Sequence, residues 1–211
     1  MTAAAAQLRP PADPLAIPPH IRGLIFDCDG TLADTMPLHW QAWRQIAARH
    51  GFHFTEERFY ALAGIPSRDI LGQLGAEQGL RLDPLGVARE KEQAYLALLE
   101  HVGPIERVVN VARVQRGRLP LAVASGGSRH IIERVLDHLG IRSWFDAVVT
   151  NEDVARQKPA PDIFLEAARR LGVPPQQCRA YEDAELGLAA IHAAGMEAVD
   201  VRTLVVPAGQ R

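Results

Sequence analysis

Five short apolar runs constrain this 211-residue chain more than any other feature of its sequence. They span residues 21–28 (IRGLIFDC), 119–125 (LPLAVAS), 145–150 (FDAVVT), 178–182 (CRAYE) and 197–201 (EAVDV). Runs of this length bounded by turn residues suit strands buried on both faces. Between the last four, the apolar period changes to that of a helix. Ile131, Val135 and Leu139 share a face ahead of Gly140, and Ile163, Phe164, Ala167, Ala168 and Leu171 do so ahead of Gly172. Leu188, Ile191 and His192 form a third such face ahead of Gly195. A glycine just past a periodic segment is a helix stop. Strands alternating with helices predict an α/β fold with a Rossmann-like parallel sheet as its core.

Residues 37–101 break this rhythm. Trp40, Trp43, Ile46 and Ala47 fall on one face of a helix over about 38–50, closed by Gly51, and helical stretches follow near 56–62, 67–78 and 85–99. With no strand pattern among them, they read as an all-helical cap domain inserted after the first strand. The expected division is a flexible Ala/Pro-rich tail over 1–20, a catalytic core from 21–36 and 102–211, and the cap over 37–101. The tail has no basic start followed by an apolar stretch, so it does not read as a secretion signal. No run approaches the ~20 apolar residues of a membrane span. Two cysteines, Cys28 and Cys178, make no disulfide framework and point to a reducing, cytoplasmic setting. With 23 basic and 25 acidic residues, the chain has no general attraction for nucleic acid or a membrane surface. Any bound anion must therefore be held by a local site. No heptad repeat appears, so a monomer is expected.

Ligands of open α/β sheets bind beyond the carboxyl ends of the strands. The first strand delivers Asp27, Asp29, Gly30 and Thr31 there; the second ends at Ser125, Gly126 and Gly127. Lys158 and Pro159 lie in a later loop, and the fourth strand ends at Glu182 and Asp183. Gathered carboxylates repel one another unless a cation sits among them, and an all-oxygen donor set without histidine or thiolate suits Mg²⁺. The lysine, the serine hydroxyl and backbone N–H groups beside the glycines suit phosphate oxygens, so the expected partner is a small phosphorylated metabolite. One carboxylate can attack phosphorus, and a second, two residues on, can protonate the leaving oxygen and later deprotonate water. On this reading Asp27 stays ionised while Asp29 holds a proton for part of the cycle.

The run Asp27-Cys28-Asp29-Gly30-Thr31-Leu32-Ala33-Asp34-Thr35, followed by Ser125, Lys158-Pro159 and Glu182-Asp183 in that order, strongly resembles the four motifs of the haloacid dehalogenase-like phosphohydrolases. The likeness covers about residues 21–205. It is closest to the branch with a helical cap between the first two motifs, which holds β-phosphoglucomutase and sugar-phosphate phosphatases acting on substrates such as fructose 1-phosphate or 6-phosphogluconate. The resemblance implies that Asp27 is nucleophile and metal ligand. It makes Asp29 the acid/base, whose backbone carbonyl also binds the metal. Asp183 is implied as a further metal ligand, with Glu182 bound directly or through water, and Ser125 and Lys158 as the phosphate-holding pair. In the cap it implies substrate contacts from His39, the 64–68 loop with Ser67 and Arg68, and Lys91. The mutases carry an arginine where Ser67 stands, a departure that favours a hydrolase for sugars bearing one phosphate.

Each feature also has a plainer reading. Ser125 can be a helix cap, Lys158 a surface lysine, and Glu182 and Asp183 favourable charges at a helix start. His39 lies on a tryptophan-bearing helix where packing accounts for it equally well. Lys91 sits in a charged run, Arg89-Glu90-Lys91-Glu92, where a solvated face is the default. Cys28 reads as packing rather than as a nucleophile. The competing functions are an intramolecular sugar-phosphate mutase, a carbon–halogen hydrolase needing no metal, and a non-enzymatic phosphate-ligand binding protein.

Overall fold

The computed structural model describes residues 16–204. Its sheet has five parallel strands in the order β3-β2-β1-β4-β5: β1 (Gly23–Phe26), β2 (Leu121–Ala124), β3 (Ala147–Val149), β4 (Cys178–Glu182) and β5 (Glu197–Asp200). Each lies within one of the apolar runs. The α/β class is as expected, with the central strands buried throughout because helices cover both faces.

Alternate residues of a strand point to opposite faces, and two apolar layers follow. Leu24, Phe26, Leu121 and Val123 face one layer, which is completed by α5 (Glu106–Gln115) and α6 (Arg129–His138). Ile25, Ala122, Ala124 and Ala180 face the other, completed by α7 (Asp162–Leu171) and α8 (Glu185–Ala193). Helix α5 has no counterpart in the periodicity reading. It buries Val108, Val109, Val111 and Ala112 in a chain segment rich in valine, which reads ambiguously between strand and helix.

Between β1 and β2 come α1 (Met36–His50), α2 (Glu56–Ala61), α3 (Ser67–Gln78) and α4 (Pro84–Leu96). They close around an apolar cluster of their own that includes Trp43, Ile46, Phe54, Phe59, Leu71 and Leu74. Trp43 meets Phe54 edge-to-face at 5.1 Å between ring centroids, so both tryptophans of α1 serve that cluster, as their common face implied. The two connections to the sheet run side by side: Asp34 N–H donates to Gly103 and Ile105 N–H to Leu32.

The expected tail is only partly within reach, since residues 1–15 lie outside the described residues. Within residues 16–20, the first two contact the core. Ile17 packs on the first apolar layer and the Ala16 carbonyl accepts from Arg179 at 2.7 Å.

Candidate active site

Strands β1 and β4 are neighbours, and the chain leaves them in opposite directions, so a crevice opens beyond their carboxyl ends. Asp27 follows Phe26, which pairs with Tyr181, and its N–H continues the ladder to the Tyr181 carbonyl at 3.0 Å. Register therefore sets Asp27 beside Glu182. Lys158 reaches in from the 151–161 loop and donates to Asp27 Oδ1 and Glu182 Oε2, both at 2.7 Å. All three are buried.

Asp183 is fixed by its donor Thr31 at 3.0 Å. Glycines make room for this cluster. Gly30 has φ +81°, and a Cβ there would lie 2.2 Å from Asp183 Oδ2; one on Gly187 would lie 2.1 Å from Glu182 Cδ. Asp27, Glu182 and Asp183 each present an oxygen within 4.8 Å of the others. Burial and the neighbouring Glu182 hold Asp27 well above the ordinary carboxylate range, and the same two causes push Asp183 up to about 7. Lys158 moves upward as well: burial alone lowers it, but Asp27 and Glu182 outweigh burial. One ammonium thus faces three carboxylates. This oxygen-only, over-negative donor set fits a hard divalent cation and does not suit zinc.

Ser125 is buried at the end of β2, where its hydroxyl accepts from Gly127 N–H at 3.2 Å. It does not cap α6, whose N-cap residue is Ser128. Gly126 approaches the 62–66 loop of the helical insertion so closely that a Cβ on it would lie 3.0 Å from the Gly64 carbonyl oxygen.

Asp29 occupies a different environment. Thr35 donates to its Oδ1 at 2.7 Å, and His39 Nε2 lies 3.2 Å from the same oxygen. Thr35 is the N-cap residue of α1 yet makes no capping bond with its side chain; its hydroxyl is given to Asp29 instead. Behind His39, Lys91 Nζ lies 2.8 Å from Nδ1. A charged ammonium has donors only, so Nδ1 accepts and Nε2 carries the hydrogen offered to Asp29. Tyr95 stacks on the imidazole at 3.9 Å, and Lys91 sits 5.6 Å from the centre of the Trp43 ring. Burial alone raises Asp29, but His39 and the hydroxyl of Thr35 bring it down to about 2. Donors thus converge on Asp29, while Asp27 has Lys158 and two neighbouring carboxylates whose repulsion a cation among them would relieve.

A cavity of about 120 Å³ lies between the sheet edge and the insertion, and Asp27, Asp29, Ser125, Lys158, Glu182 and Asp183 line it from below. His39, Ser67 and Lys91 line it from above, with Gly126 and Gly127 at its side. The structure thus brings together every residue anticipated for the site except one. Arg68 is a correction: it is outside the lining, its side chain is 57% exposed, and it pairs with Asp69, because the first turn of α3 points Ser67 inward and its neighbour out. Lys91 is buried rather than on a solvated face. Cys28 lies in the core with its thiol pushed upward by burial, which suits packing. Thr35 and Tyr95 are the contributors missed from sequence. Tyr95 stands one helical turn after Lys91, a spacing that placed it on the same face; Thr35 closes the run that begins at Asp27, but nothing in that run assigned it a partner.

A model of the haloacid dehalogenase-like hydrolases matches residues 21–195. Fructose-1-phosphate phosphatase YqaB of Escherichia coli is 45% identical over 183 residues, covering 86% of this chain and 97% of that protein. A phosphorylated carbohydrates phosphatase of Thermotoga maritima is 30% identical, covering 85% of this chain and 84% of its own. Among solved structures, a β-phosphoglucomutase from Clostridium difficile superposes with a TM-score of 0.76 at 28% identity over 87% of each chain. The chain belongs to the haloacid dehalogenase-like hydrolase family.

Proposed function

We propose that this enzyme is a phosphatase that removes phosphate from small phosphorylated metabolites, sugar phosphates above all, with Asp27 as nucleophile. The observation that carries the reading is the convergence of Asp27, Lys158, Glu182 and Asp183 at the floor of a cavity roofed by the helical insertion. The kinship to a fructose-1-phosphate phosphatase supports the same substrate class. Residues 37–101 act as the cap and the remainder as the catalytic core.

The floor carboxylates suit Mg²⁺, which Asp27, Asp183 and the Asp29 carbonyl would hold, with Glu182 direct or through water. When bound, the ion supplies positive charge against the phosphoryl oxygens and the attacking carboxylate. Lys158, Ser125 and the N–H groups of the 125–128 turn hold the phosphate. Asp27 attacks phosphorus, the bond to the sugar oxygen breaks, and its electron pair passes to that oxygen, which takes a proton through Asp29. His39 Nε2, already bonded to Asp29, passes that proton on while Nδ1 takes one from the Lys91 ammonium, so the imidazole stays neutral, and the proton that water later gives Asp29 returns by the same path. Water then attacks the aspartyl-phosphate, gives a proton back to Asp29, and leaves inorganic phosphate and a free Asp27. Two buried free thiols accord with a cytoplasmic enzyme, and no helix among the described residues is long and apolar enough to cross a membrane. A monomer working on free metabolites completes the reading.

The mutase alternative has less behind it, since Ser67 and not an arginine faces the cavity. Phosphate release from fructose 1-phosphate and from 6-phosphogluconate, measured with Mg²⁺ on the wild type and on Asp27→Asn, tests the proposal. Turnover undiminished in Asp27→Asn overturns it, and isomerisation of β-glucose 1-phosphate without phosphate release replaces it with the mutase.

A further inference from the structure

The charged side chains lining the cavity divide unevenly. Asp27, Asp29, Lys158, Glu182 and Asp183 belong to the floor; beyond them stand only Lys91 and Glu92, both on α4. Lys91 is already committed, its ammonium 2.8 Å from His39 Nδ1 and seated against the Trp43 and Tyr95 rings. Glu92 is held differently. Its Oε1 accepts from Ser128 Oγ at 3.1 Å, a bond that crosses from the insertion to the edge of the sheet. Ser128 is the N-cap residue of α6 and has the extended backbone of one, yet its side chain makes no capping bond. A serine at that position ordinarily accepts from the first turn of its helix. Here its hydroxyl is spent on fixing the Glu92 carboxylate at the chamber wall, and no described residue bonds the second oxygen.

We infer that Glu92 selects phosphorylated polyols whose far end is uncharged, by placing a fixed carboxylate where a second anionic group of the substrate would lie. The inference rests on the phosphatase reading and narrows its substrate class. With phosphate on the floor, the rest of the molecule faces Glu92 and the neutral polar groups of Ser67 and Ser128. Sugar hydroxyls are good donors to a carboxylate. A second phosphate or a sugar carboxylate meets like charge instead; the one cation beside Glu92 in the lining, Lys91, is held at His39 Nδ1 against two rings, and Arg68 is turned outward to Asp69. Discrimination by repulsion of this kind needs only one misplaced charge. The class is therefore ketose or alditol monophosphates, with bisphosphates and phosphorylated sugar acids excluded.

The test measures kcat/KM with Mg²⁺ for fructose 1-phosphate, fructose 1,6-bisphosphate and 6-phosphogluconate, in the wild type and in Glu92→Gln. The amide keeps the length of the side chain and can still accept from Ser128, so only the charge is lost. The wild type is expected to prefer fructose 1-phosphate over both others at least tenfold, and Glu92→Gln to reduce that preference at least tenfold. Inhibition of fructose 1-phosphate hydrolysis by 6-phosphogluconate reads the same charge without turnover, its Ki falling in the variant. Equal wild-type rates on charged and uncharged tails, or a preference and Ki unmoved in Glu92→Gln while phosphate is still released, overturn the role of Glu92 and leave the phosphatase standing. Absence of phosphate release from all three substrates removes both.

Discussion

Two buried lysines line the same cavity, and their surroundings push them in opposite directions. Lys158, 5% exposed, is bonded to two carboxylates of the floor, which raise it above the ordinary lysine value against the effect of burial. Lys91, 6% exposed, hangs from the roof with a histidine nitrogen and two aromatic rings as its partners. Burial lowers it to about 8, although Asp29 and Glu92 pull the other way. The floor is thus an ionic cluster with carboxylate in excess, suited to a cation and, through that cation and Lys158, to phosphate. The roof carries one marginally held proton on a relay that ends at Asp29. Fixed charge belongs to the phosphoryl group, whereas the movable proton belongs to the leaving oxygen.

Lys158→Met breaks the floor and has the largest expected effect. It removes a preorganised cation from the transferring phosphoryl group, for which a loss of about 10²–10³ in kcat is expected. It also strands Asp27 and Glu182 as buried carboxylates, a loss of about 3–5 kcal/mol in stability. Denaturant unfolding without and then with Mg²⁺ checks the second point. Part of the loss is recovered with the ion, since a ligand that binds only the folded state stabilises it. His39→Ala strikes the roof instead. Removing a group that positions and supplies the proton lowers kcat by about 10² for poor leaving groups. With p-nitrophenyl phosphate, whose leaving oxygen needs no proton, the loss is expected to shrink to a few-fold. Equal losses on both substrates break the division between floor and roof.

That division also tracks what could be read from sequence. Most floor residues sit at the end of an apolar strand whose buried run of four or five residues fixes where the sheet ends, so Asp27, Ser125, Glu182 and Asp183 are placed by the strands themselves, while Lys158 comes from a loop. The roof is written in helix period alone, which tells which residues share a face but not which neighbouring face receives them. Trp43 was therefore legible as core, while Lys91 looked like part of a solvated run until its helix packed against α1 and buried it. Arg68 and Ser67 show the limit most plainly, because a rotation of one residue about α3 decides which of them enters the cavity. The hydrogen bonding of Asp29 was beyond reach for another reason. It depends on Thr35 giving up its helix-capping bond, a choice of rotamer that no pattern records.

The smallest effect separates the two lysines by sign. A lysine lowered on folding binds its proton more weakly in the native state than in the unfolded chain. Between pH about 8, its folded value, and about 10.5, its ordinary value, the unfolded state holds the proton while the folded state has released it. The destabilisation from burying charged Lys91 is present in full below pH 8 and fades as pH rises through that window, by up to about 3 kcal/mol. Lys158 has the opposite sign: its contribution is present in full below the ordinary lysine value and is lost as pH climbs from there through its raised folded value. The wild-type stability measured relative to Lys91→Met should therefore climb from pH 8 to 10.5. Relative to Lys158→Met it should stay level up to about pH 10.5. Catalysis runs against the first trend. Once Lys91 is neutral it no longer fixes His39 Nδ1 as acceptor, so kcat falls above pH about 8 even as the fold tightens, and Lys91→Arg moves that decline to higher pH. Stability and turnover changing in the same direction across this window would mean that the Lys91 proton has no part in the relay.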